Sequence, residues 1–300
     1  MTNSTADTVH LVPKAAARLR IAIPNKGRLA DPALAFLKRI GLAFEETDRK
    51  LSAEVFNFPL ELLFASAKNI PEYVQDGAVD LGITGLDLVR EQRARVTVLE
   101  PLGFGHTDLI VAVPTHSAVH EVRELRGTRV ATVFPSTVRA FFAQRKIPIE
   151  LVEVSGAVEI TPSIGLADAI ADLTSSGSTL RMNDLRPIAT ILESEAVLIG
   201  RKRPRKEVAA TQATLERRFR NVLLAEQKRY LMMNAPRKIL PQIKRVAPGL
   251  SAPTIMDLAE PGMIAVHSVI DAKGVWDIVD ELERIGATGI LVIPIEKMTK

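Results

Sequence analysis

The segment Ala167–Leu180, ADAIADLTSSGSTL, carries the residues best suited to chemistry. An apolar, strand-like run delivers Asp172 into a loop of small hydroxyl residues around Gly177. Glycine lets the backbone turn and approach an anion closely. Successive N–H groups, with the hydroxyls of Thr174, Ser175, Ser176, Ser178 and Thr179, can then donate to phosphate oxygens. The same composition also suits an ordinary polar turn between a strand and a helix. The acid at the entrance and the apolar run before it favour a phosphate cradle. Glu159, in GAVEIT at 156–161, is a second carboxylate flanked by apolar residues, readable as a site residue or as a helix cap.

Chemistry on a phosphorylated sugar also needs charge compensation for the leaving group. Asn25-Lys26-Gly27-Arg28 sets two cations and a flexible glycine directly after the aliphatic run LRIAIP. Open α/β sheets bind ligands at such strand ends. Gly82–Asp87, GITGLD, joins a strand to a helix start and is a second anion-friendly position. Either segment alone also reads as a surface turn or a close helix–strand contact. Asp168 reads as a boundary residue, and His116 and His120, which have helical ligand spacing but no accompanying third ligand, as surface side chains. No P-loop or zinc-protease motif is present. Phe141, Phe142 and Trp276 read as core anchors.

Elements that alternate between strand and helix must position these residues. LRIAIP predicts a strand at 19–24, followed by a helix with Asp31 as N-cap, Pro32 in its first turn and Gly41 at its end. The series continues with a helix at 70–75, a strand at 80–84, a turn at Gly85 and a helix from Asp87. A second series starts with a strand at 108–114 and runs through strands at 129–134 and 150–154, with a helix at 137–146 between them. This alternation implies largely parallel sheets. Strands at 186–193 and 196–199 are expected to return to the first lobe, and RKRPRK at 201–206 to form a solvated hinge. A long helix is expected over 211–233, then a small unit reading helix, strand, strand, helix, strand to the C-terminus.

Composition narrows the classes further. The chain of 300 residues is 47% hydrophobic but only 4% aromatic, which suits aliphatic α/β layers. It contains no cysteine, so disulfides, thiolate metal sites and a cysteine nucleophile are excluded, and a reducing, cytoplasmic setting is expected. The polar N-terminus lacks the apolar core of an export signal and reads as a disordered extension over 1–18. No apolar run is long enough to span a bilayer. A net charge of +4, spread out except at 201–206, speaks against nucleic-acid and membrane partners.

Taken together, IPNKGRL (23–29), DLGITGLD (80–87), SGAVEI (155–160) and ADLTSSGSTL (171–180) resemble the ATP phosphoribosyltransferase family. YLMMNAPR (230–237), PGLSAPTI (248–255) and ILVIPIEKM (290–298) resemble its long, self-regulated form, so the likeness runs from about Leu19 to the end. It implies an α/β fold of two periplasmic-binding-protein-like lobes with an interlobe cleft, plus a C-terminal ferredoxin-like α+β domain. The corresponding extents are 19–112 with 186–224 for lobe I, 113–185 for lobe II and 225–300 for the regulatory domain.

The resemblance also implies the first step of histidine biosynthesis: transfer of phosphoribose from phosphoribosyl pyrophosphate (PRPP) to N1 of ATP, with inversion and release of pyrophosphate. Mg²⁺ would ride on the pyrophosphate, with no direct protein metal site. Thr174, Ser175, Ser176, Gly177, Ser178 and Thr179 would hold the 5′-phosphate and Asp172 the ribose hydroxyls, with Glu159 and Asp87 beside the reacting sugar. Lys26, Gly27, Arg28 and Lys68 would face phosphates, while Asn234, Leu250, Thr254, Val269 and Gly289 would surround L-histidine as feedback inhibitor. A homo-oligomer, dimer to hexamer, is implied. Ser66 departs from the arginine that family members often carry there, and Arg49 or Lys50 would substitute.

Prephenate dehydratase, the enzyme alternative, would need a Thr-Arg-Phe motif that is missing here. A solute-binding protein would share the lobes, and a nucleic-acid binder would use 201–206.

Overall fold

The computed structural model describes residues 17–45 and 51–299. The expected extension at 1–18 lies, up to residue 16, outside the described residues, as do Arg49 and Lys50. The chain divides into two compact units, the first ending at Gln212 and the second beginning at Ala213.

The first unit opens with β1 (Leu19–Pro24), α1 (Ala30–Arg39), β2 (Ser52–Glu54), β3 (Leu60–Ala65), α2 (Ile70–Gln75), β4 (Leu81–Gly85), α3 (Leu86–Glu91) and β5 (Val96–Pro101). It continues with β6 (Thr107–Pro114), β7 (Arg129–Thr132), α4 (Pro135–Gln144), β8 (Glu150–Glu153), β9 (Ala169–Thr174), α5 (Ser178–Met182), β10 (Leu185–Ser194) and β11 (Ala196–Arg201). These strands form two sheets, β2-β3-β1-β4-β11-β5 and β10-β6-β9-β7-β8.

β1 pairs in parallel with both β3 and β4, and β7 in parallel with β8 and β9. Central strands covered on both faces read as continuous apolar runs, and every residue of β1 but Arg20 is buried. Ala22, Ile70, Val74, Val197 and Ile199 form one apolar cluster behind the first sheet. Val111, Val130, Val138, Phe142 and Ala171 form another behind the second.

Several local expectations shift. α1 starts at Ala30 behind Leu29, so Asp31 stands in the first turn rather than at the N-cap, where its charge still meets the positive end of the helix. α3 begins one residue before Asp87, with Gly85 as its N-cap in extended conformation rather than as a turn. The chain passes between the sheets at 102–106 rather than near 112, because β6 belongs wholly to the second sheet.

β10, expected to return to the first lobe, instead pairs antiparallel with β6 along its length. The preceding turn decides this: Thr115 N donates to Asp184 O at 2.8 Å, so the chain re-enters beside the free edge of β6. Only β11 returns, between β4 and β5. The basic run is no solvated hinge throughout. Arg205 makes two 2.7 Å bonds to the buried carboxylate of Asp80 and donates to Arg18 O at 3.0 Å, with Arg201 at 3.9 Å from the same acid.

The remaining elements are α6 (Ala209–Glu226), β12 (Lys228–Pro236), α7 (Leu240–Val246), β13 (Thr254–Asp257), β14 (Met263–Asp271), α8 (Val275–Arg284) and β15 (Thr288–Pro294). The helix expected over 211–233 ends at Glu226, because Leu231, Met233 and Ala235 bury alternately, with the period of a strand. β13-β14-β12-β15 form an antiparallel sheet, and Leu231, Met233, Val266, Ile243, Val279 and Leu282 close its core against α7 and α8. This is an α+β unit. Trp276 is not a core anchor but 74% exposed, since it sits about 100° round the helix from Val275, on the edge of the buried face. Among the described residues no helix is long and apolar enough to cross a membrane.

Candidate active site

The phosphate-cradle segment begins where β9 ends. β9 is held between β6 and β7, its Ala169, Ile170 and Ala171 fully buried, so the strand cannot shift and Asp172 is presented at a set height. Gly177 then takes φ +68°, the left-handed conformation that favours glycine, and starts the short helix α5. Its N–H donates to Thr174 Oγ1 at 3.0 Å, while the hydroxyls of Ser176 and Ser178 lie 2.9 Å apart. The loop is thus a closed turn of hydroxyl residues, with Ser175, Ser176, Ser178 and Thr179 exposed.

Asp172 is brought beside Glu159, which lies on a short 3₁₀ turn, Val158–Ile160, after Ala157 in a left-handed conformation at φ +49°. Burial pushes the Asp172 carboxyl above its ordinary value, and the like charge of Glu159 adds to the rise. The hydrogen bond from Leu173 N, at 2.8 Å, opposes it. A carboxyl so placed suits a cationic or hydroxylated ligand. Asp168, by contrast, pairs with Arg129 at 2.9 Å and is structural.

The second cluster lies at the start of α3. Asp87 is 2% exposed and Ser194 4%. Ser194 Oγ accepts from Asp87 N at 2.9 Å and donates to Asp87 Oδ1 at 2.6 Å. Arg28 Nη2 stands 3.4 Å from the same oxygen, and its other terminal nitrogen donates to the Gly105 carbonyl. A chain of contacts ties this cluster to the cradle. Ser194 is the register partner of Thr107, and Thr107 Oγ1 donates to Thr174 O at 3.0 Å.

Lys26 and Gly27 are exposed at the end of β1, Gly27 with φ +81°. Lys68 is exposed and lines a cavity of about 450 Å³ with Glu91 and Gln92 of the first lobe and Ser136 of the second. Ser66 is half-buried in the turn before α2. Among the described residues, no group of three or more His, Cys, Asp or Glu is gathered as a metal cage.

In the second unit, Asn234 and Gly289 are brought together: a Cβ on Gly289 would stand 3.6 Å from Asn234 Nδ2. Thr254 pairs in register with His267, whose Nδ1 lies 2.9 Å from the Tyr230 hydroxyl, and Val269 pairs with Tyr230. Leu250 is exposed in the loop before β13.

Sequence reading missed Ser194, Thr107, Gly105 and Glu91. Nothing local marks them; each acts through a partner at least 45 residues away.

Comparison with known proteins is consistent along the chain. The HisG family, described as ATP phosphoribosyltransferase, matches residues 66–221, and the HisG C-terminal domain matches 225–297. The ATP phosphoribosyltransferase of Methanosarcina barkeri is 43% identical over 290 residues, covering 93% of this chain and 99% of its own. That of Methanococcoides burtonii is 45% identical over 285 residues, with the same coverage of 93% and 99%. Among solved structures, the ATP phosphoribosyl transferase (HisG:HisZ) complex from Thermotoga maritima shares the fold. It has a TM-score of 0.56 at 24% identity, covering 67% of this chain and 98% of that one.

Proposed function

The chain belongs to the ATP phosphoribosyltransferase family, and from that premise we propose how its residues divide the work of the reaction. The activity is the first step of histidine biosynthesis: ATP and PRPP give N1-(5-phosphoribosyl)-ATP and pyrophosphate. The bond from adenine N1 to the anomeric carbon forms as the carbon–oxygen bond to pyrophosphate breaks, its electron pair leaving with pyrophosphate. Little covalent work falls to the protein. It must align two polyanions and stabilise a ribose that becomes cationic.

One observation carries the reading: a half-buried carboxyl, Asp172, next to Glu159, stands directly before a left-handed glycine loop of exposed hydroxyls. In this proposal Thr174–Thr179 grip the 5′-phosphate and Asp172 the ribose hydroxyls. Glu159 and Asp87 lend negative charge to the oxocarbenium-like sugar, Asp87 from a buried position at the start of α3. Lys26, Gly27, Arg28 and Lys68 meet the other phosphates. The position of Lys68 on the wall of the interlobe cavity supports that role.

Mg²⁺ enters as counter-ion of the substrate pyrophosphate. Its ligands would be substrate oxygens, and it would supply charge neutralisation of the leaving group.

The second unit, we propose, senses L-histidine through Asn234, Leu250, Thr254, Val269 and Gly289, and assembles the chain from dimers to a hexamer. The closeness of Asn234 and Gly289 supports a shared pocket. We further propose that the two sheets of the first unit act as the catalytic lobes, one built from 19–101 with 196–201 and the other from 107–194, and that 225–300 acts as regulator. A cytoplasmic setting is part of the proposal, in keeping with a sequence free of cysteine.

The test mixes the protein with ATP, Mg²⁺ and PRPP, follows product absorbance and then adds histidine. Product formation with loss of rate on adding histidine is expected. Absence of product refutes the catalytic reading as a whole; product insensitive to histidine refutes the regulatory assignment alone.

A further inference from the structure

Two segments carry the chain between the lobes, and they are bonded to each other where they cross. Outbound, Leu102 N donates to Ala196 O at 2.9 Å and Gly103 N to the Glu195 carboxylate at 2.7 Å. On the return, Ala196 N donates to Phe104 O at 2.9 Å. The start of α3 is tied to this same junction by adjacent residues of the returning strand. Leu86 N donates to Glu195 O at 3.0 Å, and Asp87 N to Ser194 Oγ at 2.9 Å.

The Ser194 hydroxyl therefore has one assignable direction. The backbone N–H of Asp87 can only donate and a carboxylate oxygen only accepts, so the hydroxyl receives the first and gives its proton to Oδ1 at 2.6 Å. Gly85 completes the pocket. A Cβ there would stand 2.2 Å from Asp87 Oδ1, so only glycine leaves room for the carboxylate to fold back toward Ser194. With both groups almost fully buried, water cannot replace the hydroxyl if it is lost.

We infer that Ser194 is a positioning residue for the transfer reaction: from the last position of β10 it aims the Asp87 carboxylate at the junction through which the lobes are connected. This rests on the reading of Asp87 as a sugar-facing carboxylate. Because Ser194 belongs to the crossover itself, a change in the angle between the lobes turns the carboxylate with it. The orientation of Asp87 is thereby coupled to lobe closure. Ser194 touches no substrate in this account, so its removal acts on turnover and not on binding.

The experiment compares Ser194→Ala, Asp87→Ala and the double variant in the full chain, measuring kcat, KM for PRPP and ATP, and the thermal midpoint. Loss of about 10- to 100-fold in kcat is expected for Ser194→Ala, the scale of a displaced catalytic group. Both KM values should stay within about twofold, and adding Ser194→Ala to Asp87→Ala should change kcat by less than about twofold.

Ser194→Thr, which keeps the hydroxyl, should recover most of the rate; a Thr variant as slow as Ser194→Ala but with an unchanged thermal midpoint counts against the proposal. A full Ser194→Ala penalty persisting in the Asp87→Ala background overturns it, since the serine then acts independently of the acid. Wild-type kcat in Ser194→Ala with a crippled Asp87→Ala overturns it too, leaving the role of Asp87 intact. Wild-type kcat in Asp87→Ala overturns the sugar-facing reading itself.

Discussion

Glu91, on a helix of the first lobe, caps a helix of the second by accepting from Thr137 N at 2.9 Å and from the Thr137 hydroxyl at 2.8 Å. Its other oxygen accepts from Ser136 N at 2.9 Å. A helix leaves its first N–H groups without internal partners, and α4, starting at Pro135, has no capping side chain of its own. The cap is therefore borrowed from across the junction. Glu91→Ala should lower stability by about 1–2 kcal/mol. Glu91→Gln, which keeps one acceptor, should lose less. Chemical denaturation of the two variants beside wild type checks the order, and equal losses count against capping as the role.

Asp172 should show a trade of stability for function. Burial, with Glu159, raises its folded-state pKa above that of the unfolded chain. The folded protein then binds the proton more tightly, so the contribution of this group is present below an unfolded value of about 3.9 and is lost as pH rises through the folded value. Asp172→Asn removes that dependence. The variant should melt above wild type at neutral pH, the difference should vanish below about pH 4, and turnover should collapse. Melting curves from acid to neutral pH read the sign directly; a variant less stable than wild type at neutral pH contradicts the assignment.

Gly177→Ala should weaken PRPP use without unfolding the protein. Its φ of +68° disfavours any side chain, and the added Cβ would press within 3.3 Å of Arg181 Nη1. A left-handed alanine costs about 1–2 kcal/mol, enough for roughly a 5- to 30-fold rise in KM for PRPP if the loop must hold this shape to bind. KM for ATP should move far less. Equal effects on both substrates would point to general distortion.

Arg205→Met should destabilise the first unit by about 1–3 kcal/mol, because Asp80 loses its best-placed cation while keeping Arg20 N at 2.9 Å and Arg201 at 3.9 Å. Asp80 is only 2% exposed and takes two bonds from Arg205. Asp80→Asn in the same chain should return part of the loss. Denaturant midpoints of the single and double variants form the cycle; strict additivity would mean that the pair does not interact.

Much of the fold is legible along the chain. The helix at 70–75 and the strands at 19–24 and 150–153 fall where apolar runs, proline and glycine put them, because those signals act within a few residues. The glycine loop after Asp172 is legible for the same reason. What failed did so through competition between elements. Residues 228–233 include helix formers such as Leu231, Met232 and Met233, yet β12 pairs with β14 on one side and β15 on the other and the two-residue period of burial won. β10 could have joined either sheet by sequence, and the turn at Asp184 and Thr115 chose.

The sequence by itself determined the alternation of layers, the hydroxyl loop with its acid, and the absence of any cysteine chemistry, since each is written in neighbouring residues or in composition. Only the tertiary structure decided which distant groups meet. The Asp87–Ser194 contact spans 107 positions, Asp80–Arg205 spans 125, and Glu91 reaches 46 residues on to Thr137. Such pairs carry no local signal, because a serine or glutamate reads the same whether solvent or a buried carboxylate awaits it. Their geometry arises from strand order, and strand order is settled by the packing of the whole unit.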